Sequence, residues 1–161
     1  MAATGHDFRV RALPAGFLAR VWATGRDDLG NAVEQMVNRE AGGAPLRCCL
    51  REAEVGERIA LIGYGPFDRP GPYAEVGPVF IHAEPCAGCG ETGRYPEAFR
   101  HRRQVFRAYD AGGRMVYGGN AMVEGRDAEA AIARIFADPA VAFIHSRNVL
   151  AGCYMFAIHR G

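Results

Sequence analysis

An imidazole, a carboxylate and two thiols are packed into one short stretch, His82-Ala83-Glu84-Pro85-Cys86-Ala87-Gly88-Cys89. Those groups support two kinds of chemistry, a soft-metal site or a thiol nucleophile beside an imidazole base. The apolar run Val79-Phe80-Ile81 precedes them, so a strand should end where the reactive side chains begin. Zinc deaminases carry His-x-Glu and Pro-Cys-x-x-Cys motifs, and both can be read here. In those enzymes the motifs open separate helices far apart in sequence. Here they abut, and Pro85 forbids a helix through both, so the likeness is accidental. A tight Cys-x-x-Cys loop can still chelate zinc, its thiolates about 3.5 to 4 Å apart, with Gly88 easing the turn. The metal alternative is therefore Cys86, Cys89 and His82, completed from afar by Cys48, His145 or Cys153. The default is packed cysteines with no cofactor, zinc being the alternative. A dithiol redox role is weaker, because the pair does not open a helix after a strand.

Two further groups of residues could take part. If Val141 to His145 and Cys153 to Phe156 pair about a turn near Val149, His145 falls opposite Cys153. Arg147 could then bind an anion or lower the thiol pKa, although a core histidine and a packed cysteine are the plainer reading. In Pro45-Leu46-Arg47-Cys48-Cys49-Leu50-Arg51, a strand would set Arg47 and Cys49 on one face and Cys48 and Leu50 on the other. One of those cysteines is then core. Arg47 could pair with Glu57 or Glu75, or serve a ligand.

The positioning elements follow from local patterns. Phe8 to Leu13 alternates as a strand does, and Pro14, Phe17, Leu18, Val21, Trp22 and Gly25 fit a helix with its cap. Ala32 to Val37 reads weakly as helix or extended chain, followed by a loop at Gly42-Gly43-Ala44-Pro45. Strands are expected at Leu46 to Leu50, Arg58 to Tyr64 and Val79 to His82, with Pro78 marking a late start or an edge. Tyr95 to Arg100 should be a short helix. Gln104 to Tyr109 and Arg114 to Met122 flank a hairpin turn at Asp110 to Gly113. Asp127 can cap a helix with Ile132, Ile135 and Phe136 as its buried stripe. Val141 to Ser146 and Gly152 to His159 close the chain. The expected class is α+β, a mainly antiparallel sheet with two or three helices packed on it, as a single domain over residues 1–161.

Composition narrows the function. The chain has 161 residues, 49% of them apolar, which suffices for a core without staples. Its formal net charge of +1 offers no broad basic field, which argues against nucleic acid. All of the basic residues are Arg, which excludes a Schiff-base lysine, a Walker-type loop and a lysine general base. Arg's planar fork suits a small anionic molecule. Ser146 is the single serine and lacks a nucleophile-elbow context. Met1 to Asp7 has neither the basic nor the apolar region of a secretory signal, and no run is long enough to span a membrane. Five cysteines, two of them adjacent, suit free thiols in the cytoplasm.

The ordered set Pro45 to Arg51, Gly56-Glu57, Tyr64-x-Pro66-Phe67 and Tyr73-x-Glu75-x-Gly77-Pro78-Val79-Phe80-Ile81-His82, with Cys86 beyond, resembles the uncharacterised family called domain of unknown function 1203. Tyr95-Pro96, Arg107-Ala108-Tyr109-Asp110, Met115-x-Tyr117-Gly118, Phe143-Ile144-His145-x-Arg147 and Cys153 extend the likeness from about Phe8 to His159. The resemblance implies a small compact domain and brings no activity. Cys86 belongs to its pattern more clearly than Cys89. Two function classes follow. One is a small enzyme or ligand-binding domain, with His82, Cys86, His145 and Cys153 as catalytic candidates and Arg47, Cys48, Arg107 and Arg147 as ligand-binding candidates. The other is an interaction module with buried thiols, or a zinc protein.

Overall fold

A computed structural model describes residues 7–161, so most of the N-terminal stretch read for a secretory signal lies outside the described residues. In chain order the elements are β1 (Phe8–Arg11), α1 (Ala15–Thr24), β2 (Glu34–Val37), β3 (Pro45–Leu46), β4 (Arg51–Glu52), β5 (Arg58–Tyr64), β6 (Gly77–His82) and β7 (Glu91–Thr92). After a 3-10 turn at Glu97–Phe99 come β8 (Arg103–Tyr109), β9 (Ala121–Glu124), α2 (Ala128–Phe136), β10 (Phe143–Asn148) and β11 (Tyr154–Arg160). The class is α+β, but strands dominate and form two sheets rather than one. The six-stranded sheet runs β7-β1-β11-β10-β8-β9 with every pair antiparallel. The five-stranded sheet runs β2-β5-β6-β3-β4 and is antiparallel except where β3 meets β6 at Leu46 and Phe80. No helix among the described residues is long and apolar enough to cross a membrane.

β11 joins two apolar clusters. Phe156 and Ile158 pack with Ile132 and Ala131 of α2, whereas Tyr154 and Ala157 pack with Val21 of α1 and with Ile59 and Ile81 of the second sheet. Strand side chains alternate, so one strand can serve two cores only by presenting a different face to each. Its register shifts between Ser146, opposite Phe156, and Arg147, opposite Tyr154, leaving Met155 as an extra residue. That bulge corrects the expected C-terminal register. The turn lies further along the chain, with the N–H of Gly152 donating to the Asn148 carbonyl at 3.1 Å, and His145 is opposite Ala157 rather than Cys153. A turn-centre shift of this kind changes every cross-strand partner.

The segment expected as one strand from Leu46 to Leu50 behaves differently. Pairing stops at Leu46, and the chain then closes a turn in which the Leu50 N–H donates to the Leu46 carbonyl at 2.9 Å. Leu50 has φ of 54°, a left-handed conformation that is costly for a branched side chain. The turn lets Leu46 and Leu50 bury in different clusters. Arg47, expected to serve a ligand or a carboxylate, is 2% exposed instead, and its guanidinium donates to the carbonyls of Tyr154 at 2.8 Å and Pro45 at 2.6 Å. Burial lowers its pKa to about 10, which still leaves it charged at neutral pH.

Other expectations hold in part. Phe17, Leu18 and Val21 bury one face of α1, which ends at Gly25 with φ of 66° and its N–H on the Val21 carbonyl at 2.8 Å. Of Ala32 to Val37, Glu34 onward is extended. The stretch after the Asp110 turn is broken by a 3-10 turn at Tyr117–Gly119, so its strand starts only at Ala121. Asp127 precedes α2 as expected but makes no side-chain cap hydrogen bond. Pro78 starts no edge strand. It lies within β6 opposite Gly63, where β3 does not reach, so no partner needs its missing N–H.

Candidate metal centre

The turn after β3, the end of β6 and the loop beyond it converge. One ligand atom from each of Cys48, Cys49, His82 and Cys86 lies within 4.8 Å of the other three. His82 Nδ1 is 3.3 Å from Cys48 Sγ and 3.8 Å from Cys49 Sγ. In tetrahedral zinc with ordinary bond lengths, the sulfur-to-nitrogen edge is about 3.6 Å. The observed edges bracket that value. The helical turn makes this possible, because it swings both neighbouring cysteines toward one point where a strand would have thrown them to opposite faces. The backbone N–H of His82 also donates to Cys48 Sγ at 3.3 Å, an interaction that favours a thiolate.

The far side of the imidazole is fixed by a carboxylate. Glu57 Oε1 accepts from His82 Nε2 at 2.8 Å and from Arg51 Nη2 at 2.6 Å, and the Arg51 Nη1 to Glu57 Oε2 contact of 3.0 Å makes the arginine clamp bidentate. Glu57 Oε2 accepts a further bond from the Glu54 N–H at 2.8 Å. A carboxylate only accepts, so Nε2 donates to it and Nδ1 faces the sulfurs, with Arg51 Nη2 also 2.9 Å from Nε2. The Arg51 hydrogen bond, supported by those from the Glu54 N–H and His82, holds the Glu57 pKa at about 2, so it is ionised at neutral pH. The hydrogen bond from Cys48 lowers Cys49 to about 6, helped by the charge of Arg51, while Cys48 is raised.

Trp22 of α1 donates from Nε1 to the His82 carbonyl at 2.9 Å, tying the helix to the strand end. Beside the centre is a groove of about 590 Å³ whose walls include Leu18, Trp22, Cys48, Cys86 and Cys89. Cys89, expected to pair with Cys86 on a metal, is exposed, and its thiol points to the Gly90 carbonyl at 3.6 Å. It belongs to the groove wall and not to the cluster.

The remaining candidates lie elsewhere. Arg107 and Arg147 both pair with Glu75 Oε1, at 2.8 Å and 2.6 Å. Burial, and then the charge of Arg107, lowers the Arg147 pKa. Cys153 lines a hollow of about 160 Å³ with Arg147 and Glu75, its thiol near the Ala151 carbonyl. His145 is 3% exposed and lies about 5 Å from the ring centres of Phe67, Tyr109, Phe143 and Tyr154. Burial first, and the charges of Arg147, His159 and Arg107 next, lower its pKa to about 3, so it is neutral. The expected common pocket is thus divided. Cys48, His82 and Cys86 meet, His145 lines a different cavity, Arg107, Arg147 and Cys153 gather near Glu75, and Arg47 is internal. Cys49 and the orienting pair Glu57 and Arg51 were not anticipated as one unit, because only the turn at Leu50 brings them together.

No curated protein and no solved structure matches the chain. The family described as Protein of unknown function (DUF1203) matches residues 43–160, a span that holds every residue of the centre, and the chain belongs to that family.

Proposed function

We propose that this protein is a metal-binding domain in which Cys48, Cys49, Cys86 and His82 hold one zinc ion in a closed tetrahedral site. The observation that carries the reading is the approach of three thiols and one imidazole nitrogen to within 4.8 Å, with Glu57 on the opposite ring nitrogen. Three sulfurs crowded on one imidazole exceed what a thiol nucleophile needs, which is one. Four protein ligands leave no open position, so the metal's role is to staple the Cys48 turn, the end of β6 and the Cys86 loop. Thiolate ligands and unpaired cysteines suit a reducing cytoplasm.

The test is metal analysis of protein purified without chelator from zinc-supplemented cells. Wild type should carry about one equivalent, and Cys49→Ser, Cys86→Ser or His82→Ala should each carry less than about half. Cys89→Ser should match wild type. A wild type with less than about half an equivalent overturns the proposal.

One observation favours a second reading. Cys49, whose pKa is lowered to about 6, His82 and Glu57 stand in the order nucleophile, base and orienting acid, beside a groove that also holds Arg11. On that reading the domain is a small enzyme acting on an anionic molecule. Fast iodoacetamide labelling of metal-free wild type, abolished by Glu57→Gln and accompanied by no zinc uptake, would favour it.

A further inference from the structure

A cavity of about 640 Å³ lies apart from the thiol cluster, over the β10 and β11 face of the larger sheet. His145, Phe143, Ala157 and His159 of those strands line it, together with Tyr154. The Pro- and Gly-rich loop from Pro66 to Pro72 and the turn from Ala111 to Arg114 supply the other walls. These two segments brace one another. Arg69 donates to the Ala111 carbonyl at 3.3 Å, and the Phe67 ring lies beside Gly113, whose φ of 79° favours glycine. The Pro- and Gly-rich loop is thus a built wall.

Its lining is of two kinds. The walls are aromatic, with Phe67 and Phe143 at 6.2 Å and Tyr64 and Tyr154 at 5.4 Å between ring centres. Such surfaces take a flat ring by offset or edge contact. The charged lining consists of Arg11, Arg69 and Arg114 against one acid, Asp68. Arg11 pairs with Glu91, and Arg69 with Asp68 at 3.8 Å, between side chains about half exposed or more, so both pairs are weak and can yield to a ligand. An arginine fork matches a carboxylate geometrically. His145 brings an imidazole ring, the one titratable ring of β10, into the aromatic lining.

We propose that this cavity binds a small aromatic carboxylate, with its ring among Phe67, Phe143 and Tyr154 and its carboxylate on Arg11, Arg69 and Arg114. A hydroxyl or similar substituent on the ring meets the His145 imidazole. The site is independent of the zinc proposal, since its lining contains none of Cys48, Cys49, His82 or Cys86.

Calorimetric titration of the full chain with benzoate, 4-hydroxybenzoate and 2-naphthoate tests it. At least one acid should bind saturably with one site per chain, and the matching neutral amide should bind at least tenfold more weakly. Arg114→Ala should weaken the acid at least fivefold. Ala74→Trp, a substitution at an exposed position lining the cavity, should abolish binding while its melting temperature stays at the wild-type value. Absence of binding by all three acids overturns the proposal, as does equal affinity for acid and amide. Unchanged binding in a folded Ala74→Trp protein overturns the location.

Discussion

His82 Nε2 lies 2.8 Å from Glu57 Oε1, and this contact is what turns the opposite ring nitrogen toward the Cys48 sulfur. Without the carboxylate, either tautomer of the ring would be open. With it, the lone pair of Nδ1 is committed to the thiol cluster.

Glu57→Gln keeps the side-chain shape but removes the anion that His82 and Arg51 share. Zinc affinity should fall about 10- to 100-fold, read by competition with a chromophoric chelator. A wild-type affinity in this variant would show that Glu57 only anchors Arg51.

Arg47→Ala should destabilise the fold by about 3 kcal/mol, measured by urea unfolding. The change empties the space of a buried side chain and removes donors from the carbonyls of Tyr154 and Pro45. It also slackens the link between the cysteine turn and β11. A loss below about 1 kcal/mol would mean that water replaces the guanidinium at little cost.

The neutral state of His145 predicts an acid sensitivity. Its pKa is about 3 in the folded chain against an ordinary value of 6.5, so below 6.5 the unfolded chain binds a proton that the folded chain refuses. Stability from this group is complete above about pH 6.5 and declines as pH falls toward 3, at up to about 1.4 kcal/mol per pH unit. His159, lowered mainly by burial, adds in the same direction. His145→Phe should flatten the fall between pH 6.5 and 4.5 in unfolding titrations compared with wild type. Parallel curves for the two proteins would contradict the account.

Gly125→Ala should be among the most damaging small substitutions. A methyl group there would collide with the Phe99 carbonyl oxygen and sit 2.7 Å from those of Arg100 and Arg102. All three are main-chain atoms and cannot rotate away. A loss of about 2 to 4 kcal/mol in urea unfolding is expected, and a neutral result would mean that the 3-10 turn before β8 moves freely.

Local patterns carried much of the fold. β5 was legible with both its boundaries, Arg58 and Tyr64, because a regular strand and its flanking turns depend on neighbouring residues alone. α1 was legible through Pro14 and Gly25 for the same reason. That β5 and β6 belong to a second sheet was not legible, since β3 and β4 are two residues long and the strand expected from Leu46 to Leu50 ends at Leu46.

For the site, the sequence by itself determined the inventory: an imidazole at the end of an apolar strand, thiols before and after it, and a lysine-free set of cations. It also determined that His82 and Cys86 would be near each other, because so few residues separate them. Only the tertiary structure decided that Cys48 and Cys49 reach the same imidazole, that Cys89 does not, and that His145 belongs to another cavity. The physical reason is that the reach of Cys48 and Cys49 hangs on the turn closed at Leu50, and the cross-strand partner of His145 on the bulge at Met155. Both choices are set by packing in two separate cores, and so by residues far along the chain rather than by neighbours in sequence.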